Sequence, residues 1–236
     1  MKRLFAPASL DDLVRLLRAW RFWVLGALIG GLAGAAFYFV KPPDYRARAT
    51  VVVSFNMEKA WPNKPDNELF YYLERESRKV QEVAWADATL QQVSAQTGLA
   101  VADLRSGKLE LSQPQDGGWH FYASDHSAQA ANSLAAAWAQ AFTTQVQQGI
   151  QTAVSLDAAR KALETNPSDL KLQTDIKNLE ASTLAITPEL QVSLAQSKDL
   201  PAVRKSSLAL YAAAGAGLLL AVSALAILLL GSRERA

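Results

Sequence analysis

The sequence predicts an α+β protein in which two transmembrane helices flank a membrane-proximal, small mixed sheet, covered by helices and carrying a projecting helical hairpin. Three observations predict it. Residues 22–40 and 208–230 are apolar runs without a charge, roughly 28 and 34 Å long as helices and so able to cross a hydrocarbon core of about 30 Å. Tyr45 to Phe55 (YRARATVVVSF) alternates and is rich in β-branched residues, the pattern of a strand. Farther on, Ala128, Ala131, Leu134, Ala135, Trp138 and Phe142 recur at helical spacing.

Residues 1–21 read as a cytoplasmic amphipathic segment. Ser9-Leu10-Asp11-Asp12 starts a helix, its carboxylates at the positive end of the dipole. Leu13, Leu16, Leu17 and Trp20 form a stripe beside Arg15, Arg18 and Arg21, so this helix would lie along the inner membrane surface. The first span, 22–40, is longer than the apolar core of a cleaved signal peptide, about 7–15 residues. Trp20, Trp23, Phe37, Tyr38 and Phe39 sit at its edges as interfacial anchors. An uncleaved anchor is therefore expected.

Two crossings return the chain to its starting side. Lys2, Arg3, Arg15, Arg18 and Arg21 precede the first span, and Arg233 and Arg235 follow the second; this bias places both termini in the cytoplasm. Lys41, Arg46, Lys198, Arg204 and Lys205 oppose it on the other side, but a loop this long crosses regardless of its charge. Residues 41–206 are then an exported domain, 207–230 the second span and 231–236 a cytoplasmic tail.

Within the exported domain, Pro42-Pro43 ends the first span and the strand follows. Residues 61–65 form a loop. The pattern from 67 to 97 is helical, broken near Trp85 to Asp87 and stopped by Gly98. Residues 102–104 are a short turn or helical piece, and 109–112 with 119–123 read as an antiparallel pair around 113–118. A long helix is expected from Ser124 or Asp125 to Asn166-Pro167, with Pro167 at the first position of the next helix. Leu156, Ala159 and Leu163 before that turn and Leu172, Ile176 and Leu179 after it show the same helical spacing, which fits a hairpin over about 127–186. Thr183 interrupts the second stripe and Ile186 resumes it. Leu190, Val192 and Leu194 alternate as a last strand, and pairing it with the first would hold the two crossings side by side.

Charge narrows the function. Seventeen Lys or Arg against nineteen Asp or Glu in 41–206 argue against nucleic acid as a partner. With no cysteine there is neither a disulfide nor a thiolate metal site. Gly107-Lys108 lacks the upstream glycine and following hydroxyl of a phosphate-binding loop. His120 lies in a predicted strand; His126 stands at a helix start beside Asp125, a carboxylate placed to cap. Glu74 and Glu76 fall on different faces of a helix, and Glu74 suits an ion pair with Arg78. No acid/base pair, cofactor site or metal site is predicted, and the chain reads as no enzyme. Small residues offer something else. Gly26, Gly30 and Gly34 lie in phase on the first span, and Ala209, Ala213, Gly217 and Ala221 on the second, as faces for packing between spans or between protomers.

Layout and motifs together resemble the bacterial chain-length determinant (Wzz-type) proteins, or polysaccharide co-polymerases. Residues 10–18 (LDDLVRLLR) look like their helix before the first span, and 43–51 (PDYRARATV) is similar to their first strand. Residues 125–142 (DHSAQAANSLAAAWAQAF) are similar to the helix after their central β pair. Pro201 and Lys205 correspond to part of the proline-rich motif leading into their second span, although only one proline remains here. The likeness covers nearly the whole chain. It implies a non-enzymatic inner-membrane homo-oligomer that modulates the length or export of a surface or secreted polysaccharide (O-antigen, capsule or exopolysaccharide) built by a partner polymerase. No fused tyrosine kinase is expected after Leu230, and the exported hairpin is shorter than in many members. An alternative is an adaptor that activates a separate tyrosine kinase or exporter; a ligand-binding membrane sensor is a third reading.

Overall fold

The computed structural model describes residues 14, 17–56, 59, 66–112, 118–196 and 201–233. The expectations for 1–13, Arg15, Leu16, 61–65, 113–117, Lys198 and Arg235 lie outside them. The chain is mixed helix and sheet and divides into two compact units: residues 44–203, and the terminal arms 1–43 with 204–236.

In the 44–203 unit, β1 (Tyr45–Phe55) is the central strand of a sheet ordered β2-β3-β1-β4, where β2 is Leu109–Ser112, β3 Gly118–Asp125 and β4 Leu190–Gln196. A two-residue strand, β5 (Val203–Arg204), also pairs with β1. The sheet is open and antiparallel where a mixed one was expected: Thr50 sits opposite His120 on β3, and Val53 opposite Val192 on β4. The cause is connectivity. Residues 113–117 join β2 to β3 by a link too short for parallel neighbours, and β4 returns along β1 after the helical hairpin.

Alternation on β1 sorts its side chains. Ala47, Ala49, Val51 and Val53 are buried, while Arg48, Val52 and Ser54 face outward. The buried face is covered by the long helix α5 (Ala128–Thr165), whose Trp138 lies at the centre of the core. Its ring meets Phe121 edge-on at 4.8 Å and Trp85 at 4.9 Å, and its indole N–H donates to the Ala84 carbonyl at 2.9 Å.

That carbonyl lies near the end of α2 (Asp66–Trp85), which breaks at Ala86 before α3 (Asp87–Thr97). Across the break, buried Thr89 donates its hydroxyl to the Val83 carbonyl at 2.7 Å. Gly98 closes α3 at φ 74°, where a side chain would be strained, and its N–H reaches Ser94 O at 2.8 Å. A three-residue helix α4 (Val101–Asp103) and an irregular turn, Leu104–Lys108, lead to β2.

Three local expectations are corrected. The long helix starts at Ala128, not at Ser124 or Asp125: those two residues still pair with Arg46 and Tyr45 in the sheet, and the cap is Ser127, which accepts from the Ala130 N–H at 3.0 Å. Pro167 does not begin the next helix. Asp169 does the capping, accepting from the N–H groups of Lys171 (2.9 Å) and Leu172 (3.2 Å), and α6 runs Leu170–Ser182. Ile186, finally, is not on that helix. The chain turns after Ser182 through Leu184 (φ 52°) and Ala185 (φ 55°), and Ile186 drops against Gly149 of α5. The two arms, α5 and α6, pack antiparallel, and Arg160 joins Glu180 across them at 2.6 Å.

The second unit is a pair of apolar helices, α1 (Trp20–Val40) and α7 (Leu208–Arg233). Both are long and apolar enough to cross a membrane, over Trp20–Val40 and Leu208–Ile227. The rest of the protein buries only 6% of the first apolar window and none of the second, whereas a helix in a soluble core would be mostly covered. Pro42 follows the end of α1, and Ser207 caps α7 by accepting from the Leu210 N–H at 3.2 Å.

Candidate functional site

The glycine face of α1 meets α7. A methyl group built on Gly26 would lie 2.6 Å from Ser223 Oγ; on Gly30 it would overlap the Gly215 carbonyl, and on Gly34 the Tyr211 carbonyl. Glycine is what lets these backbones approach, because without a Cβ the two main chains come into direct van der Waals contact. From the other side, a Cβ on Gly215 would overlap the Gly30 carbonyl and come within 3.0 Å of Gly34 Cα. Ser223, the polar residue at this seam, satisfies its own hydroxyl by donating to the Leu219 carbonyl at 2.7 Å.

Gly217 is placed elsewhere. Nothing lies within 4 Å of a Cβ built there, so the seam uses Tyr211, Gly215, Leu219 and Ser223 and not the stripe through Gly217. Those four residues also recur at intervals of four, with Ser223 as the polar residue that marks the face.

At the end of the pair bearing Val40 and Leu208, aromatic rings gather. Tyr38 meets Tyr211 edge-on at 5.5 Å, Phe37 stacks with Tyr211 at 6.1 Å, and the Arg204 guanidinium lies 5.3 Å from the Tyr38 ring. Below them an apolar groove of about 610 Å³ runs between the helices, lined by Gly30, Gly34, Phe37, Leu210, Ala214 and Leu219 among others. Pro201 and Lys205, both exposed, lie on either side of β5.

In the 44–203 unit the polar residues singled out from sequence serve one another. The His120 ring nitrogen Nδ1 and the Thr50 hydroxyl are 3.0 Å apart across β1 and β3. Exposed His126 lies 2.6 Å from Asp44. Asp125 accepts from Lys108 at 2.8 Å, and that hydrogen bond holds its carboxyl below the ordinary carboxylate range, against the opposing effect of burial. Glu74 pairs with Arg78, whereas Glu76 is buried and held by Lys79 at 2.8 Å and Arg75 at 3.3 Å. No motif in the sequence marks the group around Arg46, whose guanidinium lies 3.8 Å from the Tyr122 ring and 2.8 Å from Glu110. That group depends on the cross-strand register, which sets Glu110 opposite Tyr122 and which the alternation pattern alone does not specify. Among the described residues no three His, Asp or Glu side chains converge as metal ligands would.

Comparison with models of known protein families and with curated proteins finds no match.

Proposed function

We propose that this chain is a non-enzymatic polysaccharide co-polymerase of the bacterial inner membrane, of the kind the chain-length determinant (Wzz-type) proteins represent. In this reading α1 and α7 cross the bilayer, both termini are cytoplasmic, and residues 41–206, with the α5–α6 hairpin, are exported. The observation that carries it is the order of parts: an apolar helix, an α+β unit whose first strand pairs with its fourth, a helical hairpin between those strands, and a second apolar helix. Gly26, Gly30 and Gly34 join the spans within one protomer. Gly217, on a face of α7 open to neighbours, gathers protomers into a homo-oligomer. Pro201 and Lys205 set how the chain leaves the sheet for the second span. The partners are then a glycan polymerase and its growing chain.

Deleting the gene and sizing the cell's surface and secreted glycans tests this directly. A changed length distribution, or loss of one polymer, is the expected result. An unchanged glycan profile contradicts it. Gly217→Leu should lower oligomer size in detergent, and an oligomer of unaltered size would remove Gly217 from the assembly.

A further inference from the structure

We propose that the groove between α1 and α7, with the cations at its rim, binds one anionic phospholipid in the exported-side leaflet. The inference rests on the membrane-spanning part of the reading above and not on the handling of glycans.

Depth is the first argument. From Gly30 to Phe37 and from Leu210 to Leu219 the groove follows about 10 and 13 Å of helix. The hydrocarbon core is about 30 Å thick, so the groove covers one leaflet and not two. Its volume, about 610 Å³, falls within the range of ligand pockets, and its lining is almost wholly apolar. Such a slot suits an alkyl chain; a polar solute would find nothing to bond.

Charge supplies the second argument. Lys41 follows α1, and Arg204 and Lys205 precede α7, so three exposed cations stand at the end of the pair where Tyr211 lines the groove, with Arg204 beside the Tyr38 ring that Tyr211 meets. Aromatic rings of this kind sit at headgroup level. A phosphodiester at that level meets the cations while its chain enters the groove. A neutral lipid would fill the slot without drawing on these charges, and free phosphate would use the rim alone.

The test uses the full chain in nanodiscs of equal phosphatidylglycerol and phosphatidylcholine, followed by native mass spectrometry of retained lipid. Wild type should keep phosphatidylglycerol in preference. Lys41→Gln, Arg204→Gln and Lys205→Gln should each cut that retention about fivefold without affecting phosphatidylcholine. Ala214→Trp, which fills the groove, should cut it with every cation in place. The exposed cation variants guard against a folding defect in Ala214→Trp. Equal retention of the two lipids, or retention unmoved by either class of variant, would overturn the proposal and leave annular lipid only. Carbonate extraction separates the two levels: a chain released from membranes defeats the spanning reading itself, while an integral chain without lipid preference defeats only this site.

Discussion

Gly149 and Ile186 form the joint between the helical hairpin and the return to the sheet, and a double-mutant cycle there tests that packing. A Cβ on Gly149 would stand 2.6 Å from Ile186 Cδ1 but 3.4 Å from its Cβ and Cγ1, so a single terminal methyl makes the clash. Gly149→Ala gains about 1 kcal/mol of helix propensity and loses about 2 kcal/mol to overpacking, a net destabilisation of about 1 kcal/mol. Ile186→Val removes the offending methyl and costs about 1 kcal/mol alone. Together the losses should cancel: the new methyl occupies the vacated space, the helix keeps its gain, and the double variant returns close to wild type. The coupling is then about 2 kcal/mol, within the range for residues in contact. Thermal unfolding in detergent, followed by tryptophan fluorescence, reads it, with each single variant lowering Tm by about 2–4 °C. Additive losses, with coupling below about 0.5 kcal/mol, would refute the contact.

Other parts of the account are open to similar tests. The cysteine-free chain permits a pair at Gly26 and Ser223, where Cβ atoms about 3.6 Å apart suit a disulfide; mild oxidation should join α1 to α7 within one protomer, and Gly217→Cys with Gly26→Cys should not. Trp138→Phe leaves the buried Ala84 carbonyl without its donor and should cost about 1–3 kcal/mol, read as a lower urea midpoint at constant slope. Asp125 has its folded pKa lowered by Lys108, so its contribution is full above the ordinary carboxylate value and is lost as pH falls through the lowered one. Stability measured from pH 7 to pH 2 should therefore fall less steeply in Asp125→Asn, by up to about 1 kcal/mol, and an identical acid limb would contradict the pairing.

Elements with a strong period were legible in the sequence. Alternation over Tyr45–Phe55 and the alanine stripe of α5 declare which face is buried, because each period allows only one core side. Gly98 was legible too, since only a glycine meets a left-handed stop without strain. What escaped depends on competition between local options. Pro167 and Asp169 both suit a helix start, and the carboxylate that reaches two free N–H groups decides the boundary. Leu184 and Ala185 carry no mark of their left-handed turn, which is imposed by burying Ile186 and Thr183 on either side. On α7, alanine and glycine recur in several phases, so spacing alone cannot separate Gly215, which meets α1, from Gly217, which does not. A strand as short as β5 has no period to read.

Topology bears the whole account, and single cysteines in the cysteine-free chain report it most directly. Spheroplasts carrying Asp175→Cys, Lys2→Cys or Arg235→Cys would be treated with a membrane-impermeant maleimide before and after lysis. With both termini cytoplasmic, position 175 should be labelled on intact spheroplasts and positions 2 and 235 only after lysis. Protection of 175 with labelling of either terminus would contradict it.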